Sequence, residues 1–180
     1  MKQALGVFLI SILVYACTNS PKTSHQQHEH EHNGTLLHVS SDEGKEWNVF
    51  GVRITGKVLS AQTNGDYSVI VTETPPNGGP PRHVHQNEDE LFYVLKGKYE
   101  FRCGDTVIQA HEGDLVHLPK GIPHNFVNVD TVTGITMNTI TPGGFEQFFD
   151  DVAEMSKSTT LSRKQIDSIA GVYGVSFISK

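Results

Sequence analysis

Three histidines and one glutamate are spaced in this sequence as the ligands of a single metal ion would be. His83 and His85 stand two residues apart, so on a β-strand both side chains would project from the same face. Glu90 follows a short polar stretch and begins an apolar run, which predicts a hairpin that brings its carboxylate beside the histidines. His124 comes directly after a connection with two prolines and a glycine, which would fix where its imidazole points. Three imidazoles and one carboxylate, without sulfur, favour a divalent transition metal (Fe, Mn, Ni, Co, Cu or Zn) over Ca or Mg.

Two neighbouring carboxylates are interpreted differently. Glu88 and Asp89 lie in the polar stretch between the two predicted strands, where acidic side chains are usually solvated charges at a hairpin tip. We therefore expect neither of them to take part in the metal site.

The same residues belong to two longer motifs. The first has the pattern H-x-H-x4-E-x6-G from His83 to Gly97, and the second has the pattern G-x5-P-x-G-x2-H-x3-N from Gly113 to Asn128. Both match the signature motifs of the cupin superfamily. Over nearly all of residues 47–177 the chain resembles small bacterial single-domain cupins that are described as quercetin 2,3-dioxygenase-like. The first motif of that family usually opens with a glycine, and here its position holds Asn77, followed by two glycines.

The resemblance implies a fold, a cofactor and an activity. The fold would be a double-stranded β-helix, and the metal would be held by His83, His85, Glu90 and His124. Similar enzymes bind a flavonol or another enol directly to the metal, and the ligand that corresponds to Glu90 also takes the substrate's proton, so Glu90 is the expected catalytic residue. The implied function is an oxygen-dependent dioxygenase, with a small phenolic or enolisable compound and dioxygen as its partners.

Other functions stay open at this stage. A different metal-dependent cupin enzyme, such as an isomerase, a decarboxylase or a hydrolase, would need the same ligands. A ligand- or metal-binding lipoprotein without turnover would also fit. Similar proteins commonly dimerise through their sheets, so a homodimer is a further open expectation.

The elements that must position these residues are short strands. Between residues 46 and 142, apolar or alternating runs separated by Gly, Asn and Pro turns predict an antiparallel jelly-roll barrel. The candidate strands are Asn48–Leu59, Tyr67–Thr74, Glu90–Leu95, Tyr99–Arg102, Thr106–Gln109, Leu115–Leu118, Asn125–Asn128 and Gly134–Ile140. We expect an apolar substrate pocket around the metal, formed by Phe92, Phe101, Phe126 and Met137.

Residues 143–180 are predicted to form two helices that pack on the barrel, which completes an all-β domain with a helical C-terminal segment. From Phe145 onward, apolar residues recur at spacings of three and four, as on the buried face of a helix. A second helix is predicted to begin at Ser162, with Gln165 completing a capping box, and to end before Gly174, which can adopt the left-handed cap.

Residues 1–16 are predicted to be a lipoprotein signal peptide. Lys2 gives a positive start, an apolar stretch too short for a comfortable membrane span follows, and residues 14–17 resemble a bacterial lipobox. Cys17 and Cys103 are the only cysteines, and nothing favours a disulfide between a tail residue and a barrel residue. We expect lipid on Cys17, which would anchor the protein to a membrane of the bacterial cell envelope, facing the periplasm or the exterior.

Residues 17–45 are predicted to be a flexible, His-rich linker, because the segment is polar and aperiodic up to the first strand. It contains His25, His28, His30 and His32, and His-rich tracts can capture metal ions. We interpret it as a tether that the barrel site does not need. The formal net charge of −6 and the lack of a basic stripe argue against nucleic acid as a partner.

The lipid anchor yields a direct prediction. In a Cys17→Ser variant we expect the chain to leave the membrane fraction or to stay unprocessed, because the thioether to the lipid cannot form. Membrane fractionation and gel migration would measure this, with Cys103→Ser as the matched control. Unchanged membrane association of the Cys17→Ser variant would contradict the assignment.

Overall fold

The computed structural model describes residues 36–178, which form eleven β-strands, a short 3-10 helix and two α-helices. The signal peptide, Cys17 and the His25–His32 tract lie outside the described residues. The strands are β1 Lys45–Val49, β2 Val52–Val58, β3 Ser68–Thr74, β4 His83–His85, β5 Asp89–Lys96, β6 Lys98–Cys103, β7 Thr106–His111, β8 Leu115–Leu118, β9 His124–Asn128, β10 Gly134–Thr141 and β11 Val175–Phe177. The helices are the 3-10 turn Ser60–Gln62, α1 Glu146–Ser156 and α2 Arg163–Val172.

The strands form two antiparallel sheets. One has the order β1-β2-β3-β10-β5-β8, and the other has the order β11-β4-β9-β6-β7. Neighbours such as β10 and β5 are far apart in the sequence, as expected for a double-stranded β-helix rather than a simple meander. The predicted fold class, a β-barrel with two C-terminal helices, is confirmed.

The first predicted strand, Asn48–Leu59, is wrong as a single element. The chain reverses at Phe50 and Gly51, whose φ angles of 53° and 78° are those of a type I′ hairpin turn. This turn separates β1 from β2, which pair antiparallel from Val49↔Val52 outward. The pattern hid the reversal because a phenylalanine occupies a turn position where asparagine or glycine is usual.

Two hydrophobic clusters fill the interior. One lies where β1, β2 and β3 meet the C-terminal helices, and it contains the three phenylalanines 145, 148 and 149 together with Trp47. The other lies between β5, β6, β8 and β9 and is centred on Phe92, Tyr99 and Phe101. The helical stripe predicted from spacing is confirmed, because Phe148, Phe149 and Val152 are buried on α1.

The second helix also follows the sequence closely. The side chain of Ser162 accepts a hydrogen bond from the backbone N–H of Gln165, and the capping box is complete. Gly174 has a φ of 70° and ends this segment. What the sequence did not predict is β11, which follows Gly174 at once and pairs with β4, the strand that contains the two histidines.

A buried carboxylate fixes the start of α1. Glu146 is 3% exposed; its Oε1 accepts the backbone N–H of Ser60 at 2.7 Å and its Oε2 accepts that of Gly144 at 2.9 Å. Burial alone would raise the pKa of Glu146, but these hydrogen bonds to its charged form outweigh it and lower the pKa. The contacts tie α1 to the 3-10 turn and so hold the adjacent Phe145 in place.

We expect Glu146→Gln to destabilise the protein by about 1–3 kcal/mol at pH 7, because the amide N–H₂ would face a backbone donor. A folded-state pKa below the usual 4.5 means that the native carboxylate adds stability above that pH and loses it as the pH falls through the folded value. The difference between wild type and variant should therefore shrink below about pH 4.5. Urea denaturation at several pH values measures this; a difference that is constant with pH would contradict it.

Candidate metal centre

Four buried side chains converge at one point between the sheets. One ligating atom from each of His83, His85, Glu90 and His124 lies within 4.8 Å of those of the other three, and all four residues are buried. Among the described residues, no other group of three or more His, Cys, Asp or Glu side chains is brought together in this way. The structure thus assembles the four residues that the spacing predicted.

The route by which Glu90 reaches the histidines differs from the predicted hairpin. His83 and His85 lie on β4 in the five-stranded sheet, whereas Glu90 lies on β5 in the six-stranded sheet. The polar stretch between them is therefore a crossing from one sheet to the other, and Glu90 faces the histidines across the barrel. His124 begins β9 and pairs directly with His83.

The outer nitrogen of each imidazole has a hydrogen-bond acceptor. The Nδ1 of His83 lies 2.9 Å from the carbonyl oxygen of Pro81, and that of His124 lies 2.8 Å from the carbonyl oxygen of Ile122. Because carbonyl oxygens only accept, these Nδ1 atoms carry a proton, so Nε2 is in each case the nitrogen available to a metal ion. This is the arrangement that holds histidine ligands in the correct tautomer at metal sites.

The third histidine has a carboxylate as its outer partner. The Nδ1 of His85 lies 3.1 Å from Oε2 of Glu88, which is only 6% exposed. The interpretation of Glu88 as a solvated charge is therefore wrong, because the sheet crossing folds its side chain inward under His85. Asp89 is half-buried and accepts the backbone N–H of Lys120 at 2.9 Å, outside the cluster.

The two oxygens of Glu90 face different partners. Oε2 lies 3.0 Å from Nε2 of His124 and 3.7 Å from Nε2 of His85. Oε1 accepts a hydrogen bond of 2.7 Å from the side-chain amide of Asn138 on β10. Sequence reasoning missed Asn138. The apolar residues of β10 suggested that the other face of the strand points inward, but Asn138 lies on the inward face.

Burial and charge shift the proton affinities within the cluster. Burial lowers the pKa of His83 to about 4, so its imidazole is neutral at pH 7. Burial acts in the same direction on His85, but the nearby Glu90 and Glu88 outweigh it and raise its pKa. Burial would raise the pKa of Glu90, yet the surrounding histidines, above all His85, lower it to about 2. The carboxylate is therefore ionised at neutral pH, and a metal ion would compete with a proton at His85.

These residues fit a first-row transition metal. The donor set is three imidazole nitrogens and one carboxylate oxygen, each Nδ1 is already bonded, and the ionised Glu90 supplies a negative charge. His83, His85, Glu90 and His124 would hold the ion. The chemistry of the donors suits Fe, Mn, Ni, Co, Cu or Zn, and which of these is bound is a matter for metal analysis.

The loop before β4 is held close to β9. A Cβ on Gly79 would lie 2.0 Å from the carbonyl oxygen of Phe126, so only glycine fits there. The backbone N–H of Asn77 donates to the carbonyl of Asn128, and that of Asn128 donates back to Gly78. Asn77, at the usual glycine position, has a φ of 58°, a left-handed conformation that asparagine tolerates. The departure from the motif thus leaves the loop intact.

A cavity of about 90 Å³ leads to the four residues. Seven of the chain's nine phenylalanines line it. They are Phe50, Phe92, Phe126, Phe145, Phe148, Phe149 and Phe177. The ring of Phe145 meets that of His85 edge-on, with 4.5 Å between centroids. Apart from the four candidate ligands, no ionisable side chain of the described residues lines the cavity.

The predicted substrate pocket is partly corrected. Phe92 and Phe126 line the cavity. Phe101 is buried behind them, with its ring centroid 5.4 Å from that of Phe92, and it does not reach the cavity. Met137 is 36% exposed on the outer face of β10, because strand alternation turns its neighbour Asn138 inward instead. The sequence missed the aromatic wall from the C-terminal segment as a cavity lining, having assigned it to core packing.

Comparisons with known proteins support this reading of the site. Residues 70–137 match the family model described as Cupin domain. Quercetin 2,3-dioxygenase of Bacillus subtilis (strain 168) is 30% identical over 95 residues, which cover 52% of this chain and 28% of that protein. Quercetin 2,3-dioxygenase of Aspergillus japonicus is 32% identical over 83 residues, 43% of this chain and 23% of that protein. The chain thus spans about a quarter of the length of these relatives.

A solved structure shows the same fold. KdgF from Halomonas sp. superposes with a TM-score of 0.56 at 16% sequence identity, covering 63% of this chain and 99% of that one. At this level of identity the likeness concerns the arrangement of strands and carries no information about substrate.

The contact between Glu88 and His85 generates a prediction. We expect Glu88→Ala to weaken metal binding by about 10- to 100-fold, because the outer partner that orients His85 and raises its basicity is lost. Isothermal titration with Co(II) or Zn(II) measures the affinity. The matched control is Glu112→Ala, which removes an exposed carboxylate from the turn between β7 and β8. Equal affinities for the two variants would contradict the role of Glu88.

Proposed function

We propose that this chain, which matches the Cupin domain model over residues 70–137 and resembles quercetin 2,3-dioxygenases, is a cupin-superfamily protein and an oxygen-dependent dioxygenase of the bacterial cell envelope. Its substrate would be a small phenolic or enolisable compound. The observation that carries the proposal is the junction of a buried three-histidine, one-carboxylate cluster with a cavity walled by phenylalanine rings.

The cavity favours a flat, apolar ligand over a sugar or a phosphate. Phenyl rings from β5, β9, α1 and β11 offer faces and edges to a planar ring system, and such contacts add about 0.5–1.5 kcal/mol each beyond simple burial. Among the described lining residues there is no lysine or arginine that could pair with a phosphate. A phenol or enol needs few polar partners, and the four residues that line the cavity would hold the ion to which its oxygen would bind.

The metal and the chain would contribute different parts of the chemistry. A redox-capable transition metal, when bound, supplies Lewis acidity toward the substrate's oxygen and a path for electrons to dioxygen. The chain's part is to bind the ring system, to orient its oxygen toward the cluster, and to exclude water. Exclusion of water matters because it strengthens every charge interaction in the site and limits side reactions.

Glu90 is the one carboxylate of the described residues at the cavity, and we assign it the proton that the substrate must lose. With its pKa lowered to about 2, it is a weak acceptor in the open site. An aromatic ligand that fills the cavity would displace water, raise the cost of the buried charge and so raise the basicity of Glu90. The proton would go to Oε1, which faces away from the histidines and has a lone pair beyond its contact with Asn138.

The cellular location and the oligomeric state are proposed from the sequence. The lipobox supports a lipid anchor at Cys17. Neither helix of residues 36–178 has the length and apolar character that a membrane span requires.

On the outer face of the six-stranded sheet, Leu91, Tyr93, Leu115 and Met137 are exposed apolar side chains on adjacent strands. This face could accept a second copy of the chain, and sedimentation velocity of the detergent-free protein would reveal a dimer.

The function is tested by oxygen uptake with flavonols, catechols and enolisable ketones, after loading with Fe(II), Mn(II), Ni(II), Co(II) or Cu(II). We expect uptake that needs both metal and substrate. Glu90→Gln should retain part of the metal but lose about 100-fold or more in turnover, because it keeps the shape and removes the proton acceptor.

Glu112→Gln, an exposed substitution of the same chemistry, is the control and should react as wild type. A Glu90→Gln protein that turns substrate over at the original rate would exclude Glu90 as the base. Binding of aromatic compounds without oxygen uptake under any metal would contradict the dioxygenase and favour a binding protein.

A further inference from the structure

Asn138 is a buried amide with only one of its two polar ends satisfied. It lies on β10 with 1% of its surface exposed, and its strand neighbours in register are Ile70 and Phe92. The side-chain Nδ2 donates to Oε1 of Glu90 at 2.7 Å. The Oδ1 is buried and has no hydrogen-bond partner among the described residues.

Packing alone does not account for this residue. Both of its register neighbours point apolar side chains into the barrel, so a leucine would match them and leave no polar atom unpaired. The orientation of the amide is also determined, because the reverse orientation would bring Oδ1 against the ionised Oε1 of Glu90. Asn138 therefore makes one hydrogen bond to the candidate carboxylate ligand while its Oδ1 stays without a partner among the described residues.

That hydrogen bond makes the two oxygens of Glu90 unequal. Oε2 is directed at Nε2 of His124 and of His85, the nitrogens that would hold the ion. Oε1 is held from β10, the strand next to β5 in the same sheet, on the side away from the histidines. Asn138 and Glu90 are diagonal neighbours in the register, since Ile140 is directly opposite Glu90. The side-chain amide of Asn138 therefore holds Oε1 of Glu90 toward β10.

We propose that Asn138 is a positioning residue: by holding Oε1 of Glu90, it would leave Oε2 as the one carboxylate oxygen available to a bound metal ion. The inference rests on the proposed metal centre, and its test does not require catalytic turnover. Without Asn138, the carboxylate would be free to rotate and to offer both oxygens or neither.

The test compares metal binding by the full-length wild type with that of Asn138→Leu, which has similar volume and no donor. We expect the affinity for Co(II) to fall by about 10- to 100-fold in titration calorimetry. We also expect the visible absorption spectrum of bound Co(II) to change, because it depends on the number and geometry of the ligands. The His25–His32 tract is common to all variants, so its own metal binding cancels in the comparison.

Thr136→Val is the matched control. Thr136 lies two residues earlier on β10, is fully buried, and shares a 2.6 Å hydrogen bond with Thr72 rather than with a ligand. This variant should lose stability but keep the affinity and the Co(II) spectrum of wild type. If Thr136→Val weakens metal binding as much as Asn138→Leu does, the role of Asn138 is merely structural and the inference is overturned.

A double-variant cycle shows whether Asn138 acts through Glu90. In a Glu90→Ala background, Asn138→Leu should alter the affinity by less than about twofold, because the group that it positions is gone. Should Asn138→Leu fail to fold, Asn138→Ala takes its place in the same cycle. Wild-type affinity and spectrum in the single variant would overturn this inference alone, whereas a wild type that binds no metal would overturn the metal centre itself.

Discussion

The burial of one ionised carboxylate among three imidazoles is the constraint on which the rest of this structure depends. A carboxylate as buried as Glu90 is stable only with partners that neutralise or hydrogen-bond it, and removal of such a partner typically costs about 3–5 kcal/mol. The histidines provide these partners at Oε2, and Asn138 provides one at Oε1. Each histidine in turn needs a hydrogen-bond acceptor at Nδ1. The carbonyl oxygens of Pro81 and Ile122 and the carboxylate of Glu88 are these acceptors.

The four candidate ligands were predictable because the pattern that identifies them lies within short segments of the sequence. The residues that hydrogen-bond to these ligands were not predictable in this way. The two-residue spacing of His83 and His85 and the turn before His124 are properties of short segments. The capping box at Ser162 is equally local, and it forms as predicted. Glu88 shows the limit: a glutamate in a polar turn has the composition of a solvated charge, and only the sheet crossing buries it beneath His85.

β10 shows a second limit, in the choice of strand face. Its sequence places isoleucine and methionine at positions 135 and 137, which predicts those side chains inside. The inward face instead holds Thr136, Asn138 and Ile140, because polar residues there bond to Thr72 and Glu90. Period-two patterns assume an apolar interior, so they fail where the interior contains a polar site. The outward Met137 then extends the apolar outer face.

The three-residue strand β11 determines how the metal-binding strand is anchored. β4 pairs with β9 through the single pair His83↔His124, but with β11 through three consecutive pairs. β4 and β11 are separated by about ninety residues, so the strand that contains two of the candidate ligands is held by a segment from the other end of the domain's sequence. Fraying of β11 would loosen both histidines while the remaining strands of the barrel stay paired. The position of both imidazoles would therefore depend on a three-residue strand that contains none of the candidate ligands.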